Sequence, residues 1–396
     1  MILDDTQRDS AGDGTTLDDL FRRAGVRRPE ALALIDPPNR ASFTDGAPRS
    51  LSYAQADRAI ASFAAYLRRL GLATDTVVAL QLPNTVEGII ALLGIMRARM
   101  IAAPLPLLWR KQEMVDALGR IGAKAIVTTA RIGDSAHAEL AMQVAAELFP
   151  IRYVCAFGRD PPDGVVPLDE IFAPNHADVV QPPARPGSAA AHVAAVTFDI
   201  GADGFVAVAR NHMEMVAGGL APYLESGAAP DAAILSAIPP ASFAGMALSV
   251  LPWLLSGGTL ALHHGFDPAT FAAQCRTQNG GTIVLPGPAL AAVAAAGCLN
   301  DQSKTIAALW RSPERLAASA PWRGEAALID IASFGEIGLL ASRRGLDGMP
   351  VPIPCGIIEA PRGAAGAVSV AETMRTGDGA LALRGGSAGA GGPDTM

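Results

Sequence analysis

The sequence predicts an α/β chain with parallel sheets flanked by helices, on three observations. Its 396 residues are 50% hydrophobic and 17% charged, which is enough apolar material for more than one core. Amphipathic runs of helical length alternate with short apolar β-runs, as in a parallel sheet. Glycine, proline and asparagine punctuate the joins.

The elements follow in order. Residues 1–15 read as a loose polar arm, and LDDLFRRAGVRRPEALALID has the apolar spacing of a short helix entering a strand. In residues 51–84 Ser52 can cap a helix with apolar residues at three and four, Gly71 closes it, and TVVALQLPN is a β-run ending in a turn. A second helix is predicted over 85–99, IAAPLPL runs extended, and a third helix over 110–121 leads to the strand AKAIVTT. The proline-rich stretch QPPARPGSAAA, 181–191, connects a first α/β subdomain (16–180) to a second (192–345). There AAILSAIPP, ASFAGMALSVLPWLLSGGTLALHH and FDPATFAAQCRTQNGGTIVLPGP pair helix-length runs with short strands. A smaller β-rich portion (346–385) and a flexible glycine-rich tail (386–396) follow.

Composition narrows the function. A net charge of -7, with no basic stripe interleaved with aromatics, argues against nucleic acid as a partner. Cys155, Cys275, Cys298 and Cys355 lack any paired short spacing, so neither a zinc site nor a disulfide framework is expected and a reduced, cytoplasmic setting fits. The opening MILDDTQRDSAGDG is unlike a targeting segment. Residues 88–108 are the most apolar stretch, but Arg97, Arg99 and two prolines make them a buried helix and strand, not a membrane span. No G-x-S-x-G or G-x-G-x-x-G follows a strand, which disfavours a hydrolase or a dehydrogenase.

From residue 51 to 129 the succession LSYAQAD, LRRLGL, VVALQLPNTVEGIIALLGIMRARMIAAPLPLL and IGAKAIVTT resembles the opening of the adenylate-forming (AMP-binding) superfamily, the acyl-CoA synthetases and their relatives. The likeness continues through SAIPPASFAG, LLSGGTLALHHGFDP and GTIVLPGP to GALALRG at 379–385. It implies the fold of that superfamily's large N-terminal domain and a reaction in which a carboxylic acid is activated by ATP through an acyl-adenylate, commonly for transfer to CoA. ATP or AMP, magnesium and a small carboxylic acid are then the expected ligands, with CoA a further one. The family's ribose motif, hinge and small C-terminal domain with its catalytic lysine are expected to be missing. That would weaken independent activity and make a separate C-terminal domain, or a homo-oligomer, the expected protein partner. The alternative is a non-catalytic homologue that binds nucleotide, acyl-CoA or a protein.

The resemblance also implies site residues. The family's phosphate loop, near TSGTTGxPKGV, falls on TFDIGADGFVAVARNH, residues 197–212. Val206 stands at the lysine, Asp199 would repel an anion, and only Gly201 and Gly204 could let backbone N–H groups approach one. The stretch reads either as a degenerate phosphate loop or as an ordinary strand–turn–helix connection with Asn211 near a cap. His212 matches the family histidine near the acyl pocket, and its other reading is a hydrogen-bonded structural histidine. Phe243 and Gly245 in PPASFAG match an acyl-binding wall, with core packing as the alternative for Phe243. In SFGEIG, Phe334 and Gly335 would lie against adenine and Glu336 would help hold magnesium, the alternative being a solvated loop carboxylate. His212 and Glu336 are also the candidate catalytic residues. Asp378 reads as a turn residue, His263 and His264 as surface or turn residues, and His137, His176 and His192 as isolated.

Overall fold

A computed structural model describes residues 14–173, 186–202, 204–278, 280–299, 304–377 and 381–385. Most of the polar arm, part of the proline-rich connector, the tail, His176 and Asp378 lie outside the described residues.

Two large sheets organise the chain. Across the first, the strands run Val166–Pro167, Tyr153–Phe157, Ala125–Thr129, Val77–Leu80, Ile101–Pro104, Val193–Gly201 and Gly204–Asn211. All neighbours are parallel except the last two. Across the second, the order is Gly338–Arg343, Ala327–Phe334, Lys304–Trp310, Gly281–Pro286, Ile234–Ser236, Leu260–Leu262, Leu32–Ile35 and Ser50–Ser52. Here only the two outermost pairs are antiparallel. The β-rich portion is a small antiparallel sheet of Gly356–Ala360, Val368–Arg375 and Leu381–Arg384.

Local chemistry sets the helices. Tyr53–Arg69 starts on a reciprocal cap, in which Ser52 Oγ accepts from Gln55 N at 3.3 Å and Gln55 Oε1 accepts from Ser52 N at 2.8 Å. Gly71 ends it with a φ of 77°. Val86–Arg97, apolar on nearly every side, is buried against it. Their approach needs Gly94, where a Cβ would fall 2.6 Å from the Phe63 ring. One apolar core then runs between the sheets, drawing Val78 and Ala102 from the first and Leu34, Leu260 and Ile329 from the second.

The stretch over 197–212, read above either as a degenerate phosphate loop or as a strand–turn–helix connection, is a hairpin: strands Val193–Gly201 and Gly204–Asn211 pair continuously from Ala195↔Arg210 to Gly201↔Gly204. A helix, His212–Ser226, follows at once with Asn211 as its cap. His263 is buried, not a surface residue, because its strand lies inside the second sheet and the helix Pro268–Thr277 supplies a partner, Gln274 Oε1, 2.6 Å from its Nδ1. His264, half-buried, stacks edge-on to Phe43 at 4.6 Å.

Candidate functional site

A cavity of about 610 Å³ opens where the C-terminal ends of strands from both sheets meet. That is where open α/β sheets bind ligands. The turn Pro106–Trp109 after Ile101–Pro104 forms one wall, with Phe198, Asp199 and Ile200 from the end of Val193–Gly201. The second sheet supplies Ile238 to Ser242 in part, Arg311 just after Lys304–Trp310, and Ser333, Gly335 and Glu336 at the end of Ala327–Phe334. Most of the lining is apolar, and among the described residues Arg311 is its single basic one.

Of the residues selected from sequence, Gly335 and Glu336 line this cavity. Gly201 and Gly204 sit exposed at the hairpin tip, paired with each other across the ladder. Phe334 is half-buried and packs on the core of the second sheet. His212 is buried at the first turn of its helix, where Nδ1 accepts from Leu17 N at 3.3 Å and so pins the N-terminal helix. Phe243 is wholly buried and presses on Gly218, where a Cβ would come within 2.2 Å of its ring. Gly245 is packed behind the cavity wall against Pro239.

Glu336 differs from a solvated loop acid. Its carboxylate accepts from Phe243 N at 2.6 Å, and burial raises its pKa against the opposing pull of that N–H and of Arg210 and Arg311. Its own N–H donates to Asp199 Oδ2 at 3.0 Å. Arg210, 1% exposed, donates to the carbonyls of Glu336 and Ile337, the second at 2.8 Å, and lies 3.7 Å over the Phe243 ring. Burial lowers its pKa to about 10, which still leaves it charged at neutral pH. The Glu336 turn is therefore held from three directions by the chain itself.

Sequence reasoning passed over Arg210, Arg311 and Trp109. Arg311 did carry a signal, a charge directly beyond an apolar parallel strand. Arg210 carried none, because its partners come from distant segments. His137 is not isolated: its Nδ1 lies 3.0 Å from Gln81 Oε1, while Gln81 Nε2 donates to the carbonyls of Pro106 and Trp109 at 3.2 and 3.1 Å. Those bonds make Gln81 Oε1 an acceptor and Nδ1 a donor, so the neutral imidazole braces the cavity wall. Burial, helped by the charge of Arg110, lowers the His137 pKa to about 4. A histidine whose folded pKa is depressed favours folding when neutral, so its contribution is lost as pH falls from 6.5 towards 4. We expect His137→Gln to remove roughly 2 to 3 kcal/mol of the stability difference between pH 7 and pH 4.5, read from urea midpoints. An unchanged pH slope would refute the assignment.

The arrangement does not fit a magnesium-bound triphosphate. Val206 supplies no charge, the hairpin is closed by its ladder, and Asp199 and Glu336 bring negative charge to the wall. Glu336 is already bonded to Phe243, and among the described residues no three His, Cys, Asp or Glu side chains cluster to hold a metal. No helix of the described residues is long and apolar enough to cross a membrane.

Two sheets share one core, and a ligand-sized cavity opens at their strand ends. The family model for AMP-binding enzymes matches residues 21–321, and the chain belongs to that family. Solved structures agree in fold. MbtA of Mycobacterium smegmatis superposes with a TM-score of 0.70 at 22% identity over 97% of this chain and 69% of that one. The N-terminal subdomain of NpsA from Klebsiella oxytoca, in complex with 3-hydroxyanthranilyl-AMSN, gives 0.68 at 17% identity over 96% and 90%. Among curated relatives, long-chain fatty acid transport protein 1 of Bos taurus is 31% identical over 43% of this chain and 25% of its own length. The salicyl-AMP ligase of Mycobacterium tuberculosis is 30% identical over 45% and 30%. The chain thus spans about a quarter to a third of these relatives, with 25% and 30% covered.

Proposed function

We propose that this chain is an acyl-CoA synthetase-like, acid-binding member of the AMP-binding family, whose cavity takes an apolar carboxylic acid, and that acyl-adenylate formation by the chain alone is very slow. The observation that carries the reading is the cavity itself: apolar walls from Leu108, Trp109, Phe198 and Ile238 around a single basic side chain, Arg311. Among the described residues no hydrogen bond or close ion pair engages the Arg311 guanidinium, whose charge acts on the buried Glu336 from a greater distance, so its N–H groups can bond a carboxylate. Apolar burial supplies affinity and the charge-assisted bonds fix orientation. Relatives named for fatty acid transport and for salicyl-AMP ligation support fatty and aromatic acids as the class to test. A second reading, in which a separate domain supplies the rest of the reaction, draws support from the 90% coverage of the isolated NpsA subdomain.

Calorimetric titration with decanoate and with salicylate tests the proposal. Binding should weaken about tenfold or more in Arg311→Ala, since charge-assisted bonds contribute roughly 1.5–3 kcal/mol. No heat with either acid would reject the reading. Pyrophosphate release from ATP should be undetectable in the natural chain, and a turnover of about 1 s⁻¹, ordinary for an enzyme, would overturn the slow-chemistry part.

A further inference from the structure

We propose that Asp199 is a built-in anion that occupies the anion-binding corner of the cavity and excludes phosphate-bearing ligands, leaving Arg311 to select a ligand with a single carboxylate. This deepens the acid-binding reading and rests on it.

The geometry is specific. Asp199 Oδ2 accepts from Glu336 N at 3.0 Å and Oδ1 from Ile200 N at 2.8 Å. The Glu336 N–H belongs to a turn whose preceding residue, Gly335, has a φ of 54°, the left-handed conformation that aims successive backbone N–H groups at anions. The carboxylate lies so close to Gly335 that a Cβ there would meet Oδ2 at 2.0 Å, Cγ at 2.7 Å and Oδ1 at 2.8 Å. Only glycine at 335 leaves room for it. Trp109 steadies the hairpin that carries Asp199, since its ring packs on Phe198 and Phe205 at 5.5 and 4.5 Å, one on either strand.

The consequence is electrostatic. A phosphate monoester carries between one and two negative charges at neutral pH, and here it would find the available N–H taken by one carboxylate, with Glu336 beside it. An acid whose carboxylate bonds Arg311 needs neither N–H. Asp199 thus acts as a specificity-determining residue that holds the site in a form closed to nucleotides.

The test titrates AMP into the natural chain, Asp199→Ser and Asp199→Asn, with decanoate as a parallel probe and thermal unfolding to confirm folding. The expected result is no measurable AMP binding to the natural chain and at least a tenfold gain in Asp199→Ser. Asp199→Asn removes the charge and keeps the shape, so it should gain less, and it decides the matter if the serine variant does not fold. AMP affinity that is equal in the natural chain and both folded variants overturns the inference. Absence of decanoate binding in every protein would instead count against the acid-binding reading, with the AMP series still deciding the role of Asp199.

Discussion

Asp330→Ala is expected to lower the unfolding free energy by roughly 3–5 kcal/mol, because it strands a buried guanidinium. Arg344 and Asp330 face each other in the second sheet with side chains 1% and 2% exposed. Arg344 Nε donates to Asp330 Oδ2 at 2.7 Å and Nη2 to Oδ1 at 3.0 Å, a bidentate pair. Trp310 Nε1 also donates to Oδ1, at 2.9 Å. The remaining Arg344 contacts, to Ala320 O, Gly348 O and Ser319 Oγ, are all to neutral acceptors. Without the carboxylate the charge is left uncompensated and the indole N–H loses its acceptor. The double change Asp330→Leu with Arg344→Met should be milder than Asp330→Ala alone, since both charges leave together. Urea midpoints at constant slope give the comparison, and a loss below about 1 kcal/mol for Asp330→Ala would show that the pair contributes little. The cavity is tied to the same pair, because Asp330 bonds Trp310, the residue just before Arg311, and lies on the strand that ends at the Glu336 turn.

Gly245→Ala is the second large effect, expected to cost about 3 kcal/mol and to weaken acid binding as well. A Cβ at 245 would stand 2.0 Å from Pro239 O, 2.9 Å from Pro239 C and 3.2 Å from Pro240 Cα. These are backbone atoms of a proline pair with fixed φ, so no side chain can swing aside. Relief must come from moving the Pro239–Ser242 wall, and with it Phe243, whose N–H holds the Glu336 carboxylate. Gly119→Ala is the matched control: it lies exposed in the helix Lys111–Ile121, its added Cβ meets only Leu148 Cδ2 at 3.5 Å, and it should stabilise by roughly 0.5–1 kcal/mol. Equal effects of the two alanines would refute the packing argument.

What was legible in the sequence was what neighbours along the chain decide. Helices predicted over 85–99 and 110–121 occur as Val86–Arg97 and Lys111–Ile121, because caps and periodicity are local properties. The hairpin left a partial trace, since Gly201 and Gly204 interrupt an otherwise β-like run, but that the two halves pair with each other cannot be read from the stretch alone. Burial of His263 depends on Gln274 arriving from a later helix, and burial of Arg210 on carbonyls 126 and 127 positions away. Such long-range pairings leave no periodic trace. Family order located Gly335 and Glu336 on the cavity, yet it could not show that Asp199 and Phe243 already satisfy the second of them.

The closed hairpin has a further consequence, in time and not in affinity. A loop that grips phosphates has to let go of them, and a segment doing so moves between arrangements many times a second. Here the corresponding segment is stitched from Ala195↔Arg210 to Gly201↔Gly204 and anchored by two aromatic contacts to Trp109. The wall opposite it is braced as well, since Gln81 holds the carbonyls of Pro106 and Trp109 and is itself held by His137, so on the proposed reading exchange of an acid should be slow, and stopped-flow release of bound decanoate should quicken in His137→Ala.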